Sequence, residues 1–303
     1  MGEPGAQTPW GGILGQERAR ALLESHLEES GGAGSTLLYG PEGVGRFRLA
    51  LGAARTVLGT TKSAAARVDS RAHPDLHLLL PADGIDGVRD TLHRLGRKPA
   101  EGPRPVLIAR DTDRLSPAAF NALLKTLEEP PADAAIFLVS EGPAFLPETV
   151  VSRCRLVRLE ALCPCDVREV LVRSGVAAGE ADRGARFAGG SPGRALYRIR
   201  NEIPPAADAL LERMQGGRRD PLEGLESLVR KRGEESSLEQ RRRLVETLRL
   251  CAERLRGGLP ETEPALRSVV EGLRSLNHNG SVSIVFSHVL LRSWMQRSSP
   301  PAP

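Results

Sequence analysis

The sequence has few cysteines, few aromatic residues and no long apolar run. Four of its 303 residues are cysteine, and 3% are aromatic. No segment approaches the ~18 consecutive apolar residues of a membrane-spanning helix, and residues 1–12 lack the basic start and apolar stretch of an export signal. We therefore expect a cytoplasmic protein without a membrane partner.

The cysteines stand at positions 154, 163, 165 and 251. They are too few and too unevenly spaced for a disulfide framework, and Cys163-Pro164-Cys165 alone does not supply a tetrahedral set of metal ligands. We expect reduced structural thiols.

The net charge of +4 is small, and only four of the 42 basic residues are lysine. An arginine bias can indicate phosphate recognition. Here it runs along the whole chain together with abundant alanine and glycine, which favours genomic composition over a dedicated patch. The scarcity of aromatic residues argues against a platform that stacks single-stranded bases.

Short apolar runs alternate with helical patterns between residues 36 and 160, which is typical of βαβ units and a parallel sheet. A helix is predicted over 116–129, because Ser116 can cap it and Pro130 cannot continue it. We therefore expect an α/β module with a parallel five-stranded sheet and flanking helices. The predicted strands are 36–39, 77–80, 105–109, 135–140 and 155–159.

After residue 160 the strand patterns stop. Residues 166–200 predict short helices, and apolar residues then recur at helical spacing in five segments. The last segment is more apolar than a surface helix requires, so it either faces a partner or forms the centre of its own domain's core. The five segments are 206–214, 221–231, 237–256, 262–276 and 281–296.

A glycine-rich loop follows the first predicted strand and opens a helix. In that position Gly40, Gly43 and Gly45 would let backbone N–H groups approach a phosphate. A nucleotide-binding loop also needs a lysine for the β- and γ-phosphates and then a hydroxyl residue for magnesium, where this chain has Arg46 and Phe47. We expect a degenerate loop that does not bind ATP as a cofactor.

A carboxylate that holds the metal should follow a later strand. The predicted strand at 105–109 is followed by Arg110, which would repel a cation. Two independent defects at one centre indicate that this chain does not hydrolyse a nucleoside triphosphate itself.

Further motifs resemble the clamp-loader branch of the AAA+ family, and their order and spacing match over most of residues 10–200. The run at 121–131 is the specific signal, whereas the glycine loop alone is weak. The resemblance implies an AAA+ domain at 1–160, a helical lid at 161–203 and a helical collar for oligomerisation at 204–303. The motifs are Gly15-Gln16, the loop at 40–47, His73-Pro74-Asp75, the run Asn121 to Pro131, the run Leu146 to Val150, and Ser152-Arg153-Cys154.

The resemblance also implies roles for two arginines. In this family the arginine of Ser-Arg-Cys, here Arg153, enters the ATP site of the neighbouring subunit as an arginine finger in trans. From the residues alone, Arg153 would instead pair with a local carboxylate. Arg194 falls where the family has a second sensor arginine for nucleotide, and it is equally well explained as a surface residue after the Ser191 cap.

Many members carry a four-cysteine zinc module before the His-Pro-Asp motif. Residues 51–72 of this chain contain no cysteine, so we expect no zinc and no other metal.

The function implied by the resemblance is that of a non-catalytic clamp-loader subunit within the bacterial DNA polymerase III holoenzyme, a DNA-directed DNA polymerase. The implied partners are the gamma/tau and delta subunits, with the sliding clamp and primed DNA met by the assembled complex at the nucleoid. The alternative is an autonomous gamma/tau-like ATPase of replication or repair that uses Arg46 in place of the lysine.

Overall fold

The computed structural model of the chain describes residues 10, 12–29, 31–215, 229–230, 232–256, 263–277 and 281–298. Among the described residues, helices and strands are interspersed up to Arg158, and the elements after it are helices. The elements are α1 (Glu17–Glu29), β1 (Gly34–Tyr39), α2 (Arg46–Leu58), α3 (Lys62–Asp69), β2 (Leu76–Leu79), α4 (Gly84–Leu95), β3 (Val106–Ala109), α5 (Pro117–Glu128), β4 (Ala135–Ser140), α6 (Glu148–Val151), β5 (Arg155–Arg158), α7 (Pro164–Arg173), α8 (Ala178–Arg186), α9 (Pro192–Arg200), α10 (Ile203–Gln215), α11 (Ser237–Arg256), α12 (Glu263–Asn277) and α13 (Val282–Ser298).

The five strands form one parallel sheet in the order β2-β3-β4-β1-β5, which confirms the predicted sheet. Its three central strands are almost entirely buried, as expected for a parallel sheet covered on both faces by helices. In the register, Gly34 of β1 lies opposite Ala135 of β4. Because all the strands are parallel, their carboxyl ends share one edge of the sheet.

Helix α5 begins and ends where the sequence predicts. The Ser116 hydroxyl accepts a hydrogen bond from the Ala119 N–H at 3.3 Å, and Pro117 takes the first helical position. Its apolar face, including Phe120, Leu123 and Leu127, is buried against the sheet side of the core. The predicted cap is therefore confirmed.

Asp75 of the His-Pro-Asp motif fixes the loop that leads into β3. Its buried carboxylate accepts hydrogen bonds from three successive backbone N–H groups, those of Ala100 (2.6 Å), Glu101 (2.9 Å) and Gly102 (2.7 Å). Burial alone would raise the pKa of Asp75, but the three N–H donors favour the charged form and hold the pKa below its ordinary value.

The chain divides into two compact units. One consists of residues 1–181 together with 188–194, and the other of residues 182–187 together with 195–303. The boundary thus falls within α8 and α9, inside the segment expected to form the lid. The division into three domains stays a prediction.

The second unit is built from amphipathic helices around its own core, with Phe286 and Leu248 fully buried. The unit also buries charge. Arg198, 3% exposed, pairs with Glu246 at 3.1 Å and with Glu253 at 2.7 Å. Such a network is stabilising only while it is complete, since removing one partner leaves a buried charge uncompensated.

Three of the predicted helical segments correspond closely to α11, α12 and α13, and 206–214 lies within α10. The segment at 221–231 lies mostly outside the described residues. None of the helices in the described part of the chain combines the length and the apolar run that a membrane crossing needs.

Helix α13 has two apolar faces. One contributes Val285, Phe286, Val289 and Leu290 to the core of the second unit, while Ile284 is 70% exposed and Leu291 is 37% exposed. The sequence left two interpretations of this segment open, a partner-facing helix and a core helix. The structure shows that it is a core helix that also carries exposed apolar side chains.

The expectation of reduced thiols is wrong for two of the four cysteines, because Cys163 and Cys165 form a disulfide. Pro164 occupies the first position of α7, and the tight turn there brings the two Cα atoms to 5.3 Å, within disulfide range. Cys154 and Cys251 are free, and burial raises their thiol pKa values to about 11 and about 12. These two are structural thiols, as expected.

We predict that Asp75→Asn destabilises the fold by about 2 kcal/mol at neutral pH, because an amide cannot accept three N–H donors and leaves at least one of them unsatisfied. The folded-state pKa of Asp75 is depressed, so its stabilisation is present above the ordinary carboxyl pKa and is lost as the pH falls through the folded value. Thermal unfolding followed by circular dichroism from pH 7 to pH 3 measures both effects.

Asp86→Asn is the matched control, since the Asp86 side chain on α4 is 95% exposed. An Asp75→Asn protein as stable as the Asp86→Asn protein at pH 7 would contradict the assignment of Asp75 as an anchor.

Candidate functional site

The glycine loop lies at the carboxyl edge of the sheet, between β1 and α2. Gly40, Gly43 and Gly45 all adopt positive φ angles of 152°, 79° and 107°, and α2 begins at Arg46 directly after Gly45. The first turn of this 13-residue helix points its unsatisfied N–H groups and positive dipole end toward the loop. The backbone therefore retains the form of a phosphate cradle.

The loop is held from outside by the segment that starts α9. The Ser191 hydroxyl donates to the Glu42 carbonyl oxygen at 2.7 Å, and the Gly193 N–H donates to the Gly43 carbonyl oxygen at 2.9 Å. A Cβ at position 43 would lie 2.3 Å from the Ser191 hydroxyl oxygen, so only glycine permits this approach. The predicted Ser191 cap is also present, because the Arg194 N–H donates to the same oxygen at 3.1 Å.

Phe47 takes the position where a magnesium-binding hydroxyl would stand. The guanidinium carbon of Arg110 lies 4.3 Å from the centre of its ring, and that of Arg71 lies 5.1 Å from it. Both are cation–π contacts. A ring contacted by two guanidinium groups offers no oxygen ligand and a repulsive field, so the residues present do not fit a magnesium ion.

Arg46 stands at the lysine position and is 7% exposed. Its Nη1 atom is buried and has no hydrogen-bond partner in the described part of the chain. Burial lowers the pKa of Arg46, and four carboxylates around the guanidinium oppose that effect. They are Glu141, Asp111, Asp113 and Glu42.

Arg194, the predicted sensor residue, lies at the start of α9, in the same segment that contacts Gly43. Its Nε atom is likewise buried without a hydrogen-bond partner among the described residues. Gly40, Gly43, Gly45 and Arg46 thus share one loop, and the backbone nitrogen of Arg194 lies beside Gly43, whereas the Arg194 Nη1 lies beside Gly189. Nothing in the sequence pattern pointed to Arg71, because it follows α3 and reaches Phe47 only through the fold.

Arg153 lies in the turn between α6 and β5 and takes no part in that cluster. Its Nη2 pairs with Glu128 Oε1 at 2.9 Å, and its Nη1 donates to the Thr149 carbonyl oxygen at 2.8 Å. The structure therefore shows the local carboxylate partner that the residues alone suggested. Both members of the ion pair remain substantially exposed, with 36% of the Arg153 side chain accessible.

The Gly15-Gln16 motif closes the α/β unit at the end of β5. The Gln16 side-chain amide donates to the Glu160 carbonyl oxygen at 2.8 Å and accepts from the Glu160 N–H at 3.2 Å. This reciprocal pair ties the chain before α1 to the chain after β5, which explains why a glutamine is suited to this position.

Among the described residues, one cluster contains three side chains of the kinds that can bind a metal ion. The ligand atoms of Cys163, Cys165 and Asp166 lie within 4.8 Å of one another. The disulfide engages both sulfur atoms. The expectation that the chain holds no zinc stays a prediction.

Comparison with known proteins shows what the chain is similar to. Residues 15–163 match the family model described as DNA polymerase III, delta subunit. The DNA polymerase III subunit delta' of Bacillus subtilis (strain 168) is 29% identical over 173 residues, which cover 53% of this chain and 52% of that protein. The subunit delta' of Escherichia coli (strain K12) is 43% identical over 89 residues, 28% of this chain and 27% of that protein. The matched segments thus span at most about half the length of these relatives.

Proteins named DNA polymerase III subunit tau are also related to the chain. Among solved structures, a DNA polymerase III gamma subunit-related protein from Thermotoga maritima superposes with a TM-score of 0.55 at 17% identity. The superposition covers 91% of this chain and 99% of that chain. At this identity the likeness shows the fold alone.

Over residues 15–163, which contain the parallel sheet and the glycine loop, the chain is similar to clamp-loader subunits of DNA polymerase III.

We predict that the isolated chain neither hydrolyses ATP nor binds it tightly with magnesium. Arg46→Lys combined with Phe47→Thr should not create activity, because Arg110 would still stand where the metal's carboxylate belongs. Isothermal titration calorimetry with MgATP and a phosphate-release assay measure the two properties. Appreciable turnover by the double variant, or by the unaltered chain, would favour the autonomous ATPase.

Proposed function

We propose that this protein is a non-catalytic, delta'-type subunit of the bacterial DNA polymerase III clamp loader, which helps to place the sliding clamp on primed DNA. The observation that carries the proposal is an accessible Arg153 in an intact Ser-Arg-Cys turn, in a chain whose own metal position is filled by Phe47. Such a chain has lost the means to hydrolyse ATP and retains the means to assist a neighbour.

The supply of Arg153 in trans requires that the side chain can leave its own subunit. Its partner here is Glu128, and 36% of the arginine and 49% of the glutamate side chain are exposed. An exposed ion pair is worth about 0–1 kcal/mol, whereas an arginine finger accelerates phosphoryl transfer by roughly 10³ or more. The local pair is therefore a weak competitor for a γ-phosphate presented by a neighbouring subunit.

The partners on this proposal are the gamma/tau and delta subunits. The assembled complex, rather than this chain alone, contacts the clamp and primed DNA. Relatives of this chain carry the names delta' and tau. On this proposal the protein is cytoplasmic and works at the nucleoid. Residues 204–303 would act as the collar, and residues 161–203 as the lid.

The first test is Arg153→Ala in a clamp loader rebuilt from purified subunits. We expect normal assembly and slower ATP hydrolysis by the whole complex. The rate of the whole complex should fall by less than the roughly 10³-fold expected at a single site, because the other ATP sites have their own arginine fingers. Arg153→Lys should fail as well, since an ammonium cannot reproduce the forked, planar contact of a guanidinium with phosphate oxygens.

Arg155→Ala provides the matched control. Arg155 lies two residues further on and forms a similarly exposed pair with Glu29 at 2.9 Å. Wild-type rates for both Arg153 variants, or an equal loss for Arg155→Ala, would show that Arg153 has only a structural role.

The second test concerns the exposed apolar side chains of α13. Exposed apolar patches are typical of surfaces that a partner protein covers in an assembly. Ile284→Ser with Leu291→Ser should leave the chain folded and weaken its entry into the complex by about tenfold or more, the loss typical of interface anchors. Size-exclusion chromatography with the gamma/tau and delta subunits measures this.

Leu238→Ser is the control, because Leu238 on α11 is 77% exposed and lies on another helix of the same unit. Co-elution of the α13 variant at wild-type stoichiometry would place the interface elsewhere.

A further inference from the structure

The disulfide between Cys163 and Cys165 takes no part in the site described above. Both cysteines are exposed, so thiols and disulfides in solution can reach the bond. Only Pro164 lies between the two cysteines, and a disulfide stabilises a fold less as the loop that it closes becomes shorter. Structural stabilisation is therefore a poor explanation for this pair.

The position of Cys163 favours a reactive sulfur. Cys163 is the N-cap of α7, and its sulfur accepts a hydrogen bond from the Asp166 backbone N–H at 3.2 Å. The N-terminal end of this 10-residue helix carries a partial positive charge. When the disulfide is reduced, the same N–H and the same helix end stabilise a thiolate on Cys163. The thiolate is the form that attacks in thiol–disulfide exchange.

The second cysteine and a carboxylate lie beside this sulfur. The ligand atoms of Cys163, Cys165 and Asp166 are within 4.8 Å of one another. The carboxylate disfavours a second negative charge next to it, so the reduced pair holds one thiolate and one thiol. The carboxylate is also placed to accept the proton that Cys165 releases when the bond forms again.

Anchors on both sides of the pair keep the two sulfurs close together after reduction. Before it, the Leu162 N–H donates to the Gly190 carbonyl oxygen at 2.9 Å. After it, Val167 and Leu171 of α7 are fully buried. Neither anchor involves a cysteine sulfur, so both remain when the disulfide opens. Two groups held side by side in this way react far faster than the same groups free in solution.

The other two cysteines differ from this pair. Cys154 is half-buried and Cys251 is buried, and burial raises their thiol pKa values to about 11 and about 12. Near neutral pH they hold almost no thiolate and are therefore inert toward exchange. The chain thus combines two inert thiols with one exposed pair.

We infer that Cys163 and Cys165 form a reversible redox site, which exchanges two electrons with thiols and disulfides in solution. Cys163 is the attacking residue, and Cys165 closes the bond. This inference concerns the chain by itself and does not rest on the proposed clamp-loader function.

Oxidation of the pair takes two exchange steps. The Cys163 thiolate attacks one sulfur of a partner disulfide, which forms a mixed disulfide and expels the first partner thiolate. Cys165 then loses its proton to Asp166 and attacks the Cys163 sulfur. The bond between Cys163 and Cys165 forms, and the second partner thiolate leaves. The pair loses two electrons and the partner disulfide gains them, while the two partner thiolates take protons from Asp166 and water. Reduction follows the same steps in reverse.

Equilibration of the full chain in buffers of reduced and oxidised glutathione at pH 7 tests reversibility. Samples are quenched with acid, alkylated under denaturing conditions and weighed by mass spectrometry. We expect the thiol count to rise from the two free cysteines to all four in one transition, with the same curve from either direction. Circular dichroism should show the same fold at both ends. A bond that opens only when the protein unfolds, or that does not form again, would overturn the inference.

Alkylation of the reduced, folded chain with limiting iodoacetamide tests the roles of the two cysteines without any variant. Peptide mapping should show Cys163 modified at least about tenfold faster than Cys165, because the helix end favours its thiolate. Cys154 and Cys251 are internal controls and should stay unmodified. Equal rates for Cys163 and Cys165 would contradict the assignment of Cys163 as the attacking residue.

Trapping with oxidised glutathione provides a matched pair of variants. Cys165→Ser keeps the attacking sulfur and lacks the closing one, so it should accumulate a mixed disulfide with glutathione. Cys163→Ser keeps a good N-cap and should accumulate at least about tenfold less in the same time. Circular dichroism checks the fold of each variant. Equal trapping by the two variants would overturn the inference.

Discussion

The parallel pairing of β1 between β4 and β5 is the constraint on which the α/β unit depends. Parallel strands present their carboxyl ends at one edge, and in open α/β sheets that edge is where ligands bind. The glycine loop after β1, Arg110 after β3 and Glu141 after β4 therefore converge whatever their chemistry. A strand slipped by one residue would turn its buried side chains to the wrong face, so the register that builds the core also positions the site.

At that edge, contacts between the chain's own residues surround the glycine loop. Phe47 holds two guanidinium groups where a hydroxyl would hold magnesium, and Ser191 and Gly193 fix the loop through the carbonyl oxygens of Glu42 and Gly43. The loop is thus held by contacts with this chain's own residues. Arg153 stands apart from this site, on the turn before β5, so the residues that replace the metal ligands at the loop do not contact it.

The features that the sequence predicted are those that depend on local chemistry. Strand bounds agree with the predictions to within two residues, and Ser116 caps α5, because alternating patterns, caps and prolines act over a few residues. The replacements at Arg46, Phe47 and Arg110 could likewise be read directly, since each falls at a fixed offset from a strand.

The features that escaped prediction join residues far apart in the chain. Arg71 on Phe47 and Ser191 on Glu42 are contacts that only the folded sheet creates. The disulfide between Cys163 and Cys165 was missed for a different reason. The prediction of reduced thiols was based on the cysteine content of the whole chain. The disulfide forms because the tight turn at Pro164 brings these two cysteines together. The sequence suggested a local carboxylate partner for Arg153 without identifying it, because the pairing with Glu128 depends on how α5 packs beside α6.

The central claim is that Arg153 acts on a neighbour's nucleotide while this chain's own metal site is disabled. The most direct measurement is the structure of the rebuilt complex trapped with ADP and aluminium fluoride, which mimics the γ-phosphate during transfer. The account predicts that the Arg153 guanidinium leaves Glu128 and lies within hydrogen-bond distance of the fluoride in the adjacent subunit. Arg153 still paired with Glu128, beside a neighbouring site that is fully occupied, would contradict it.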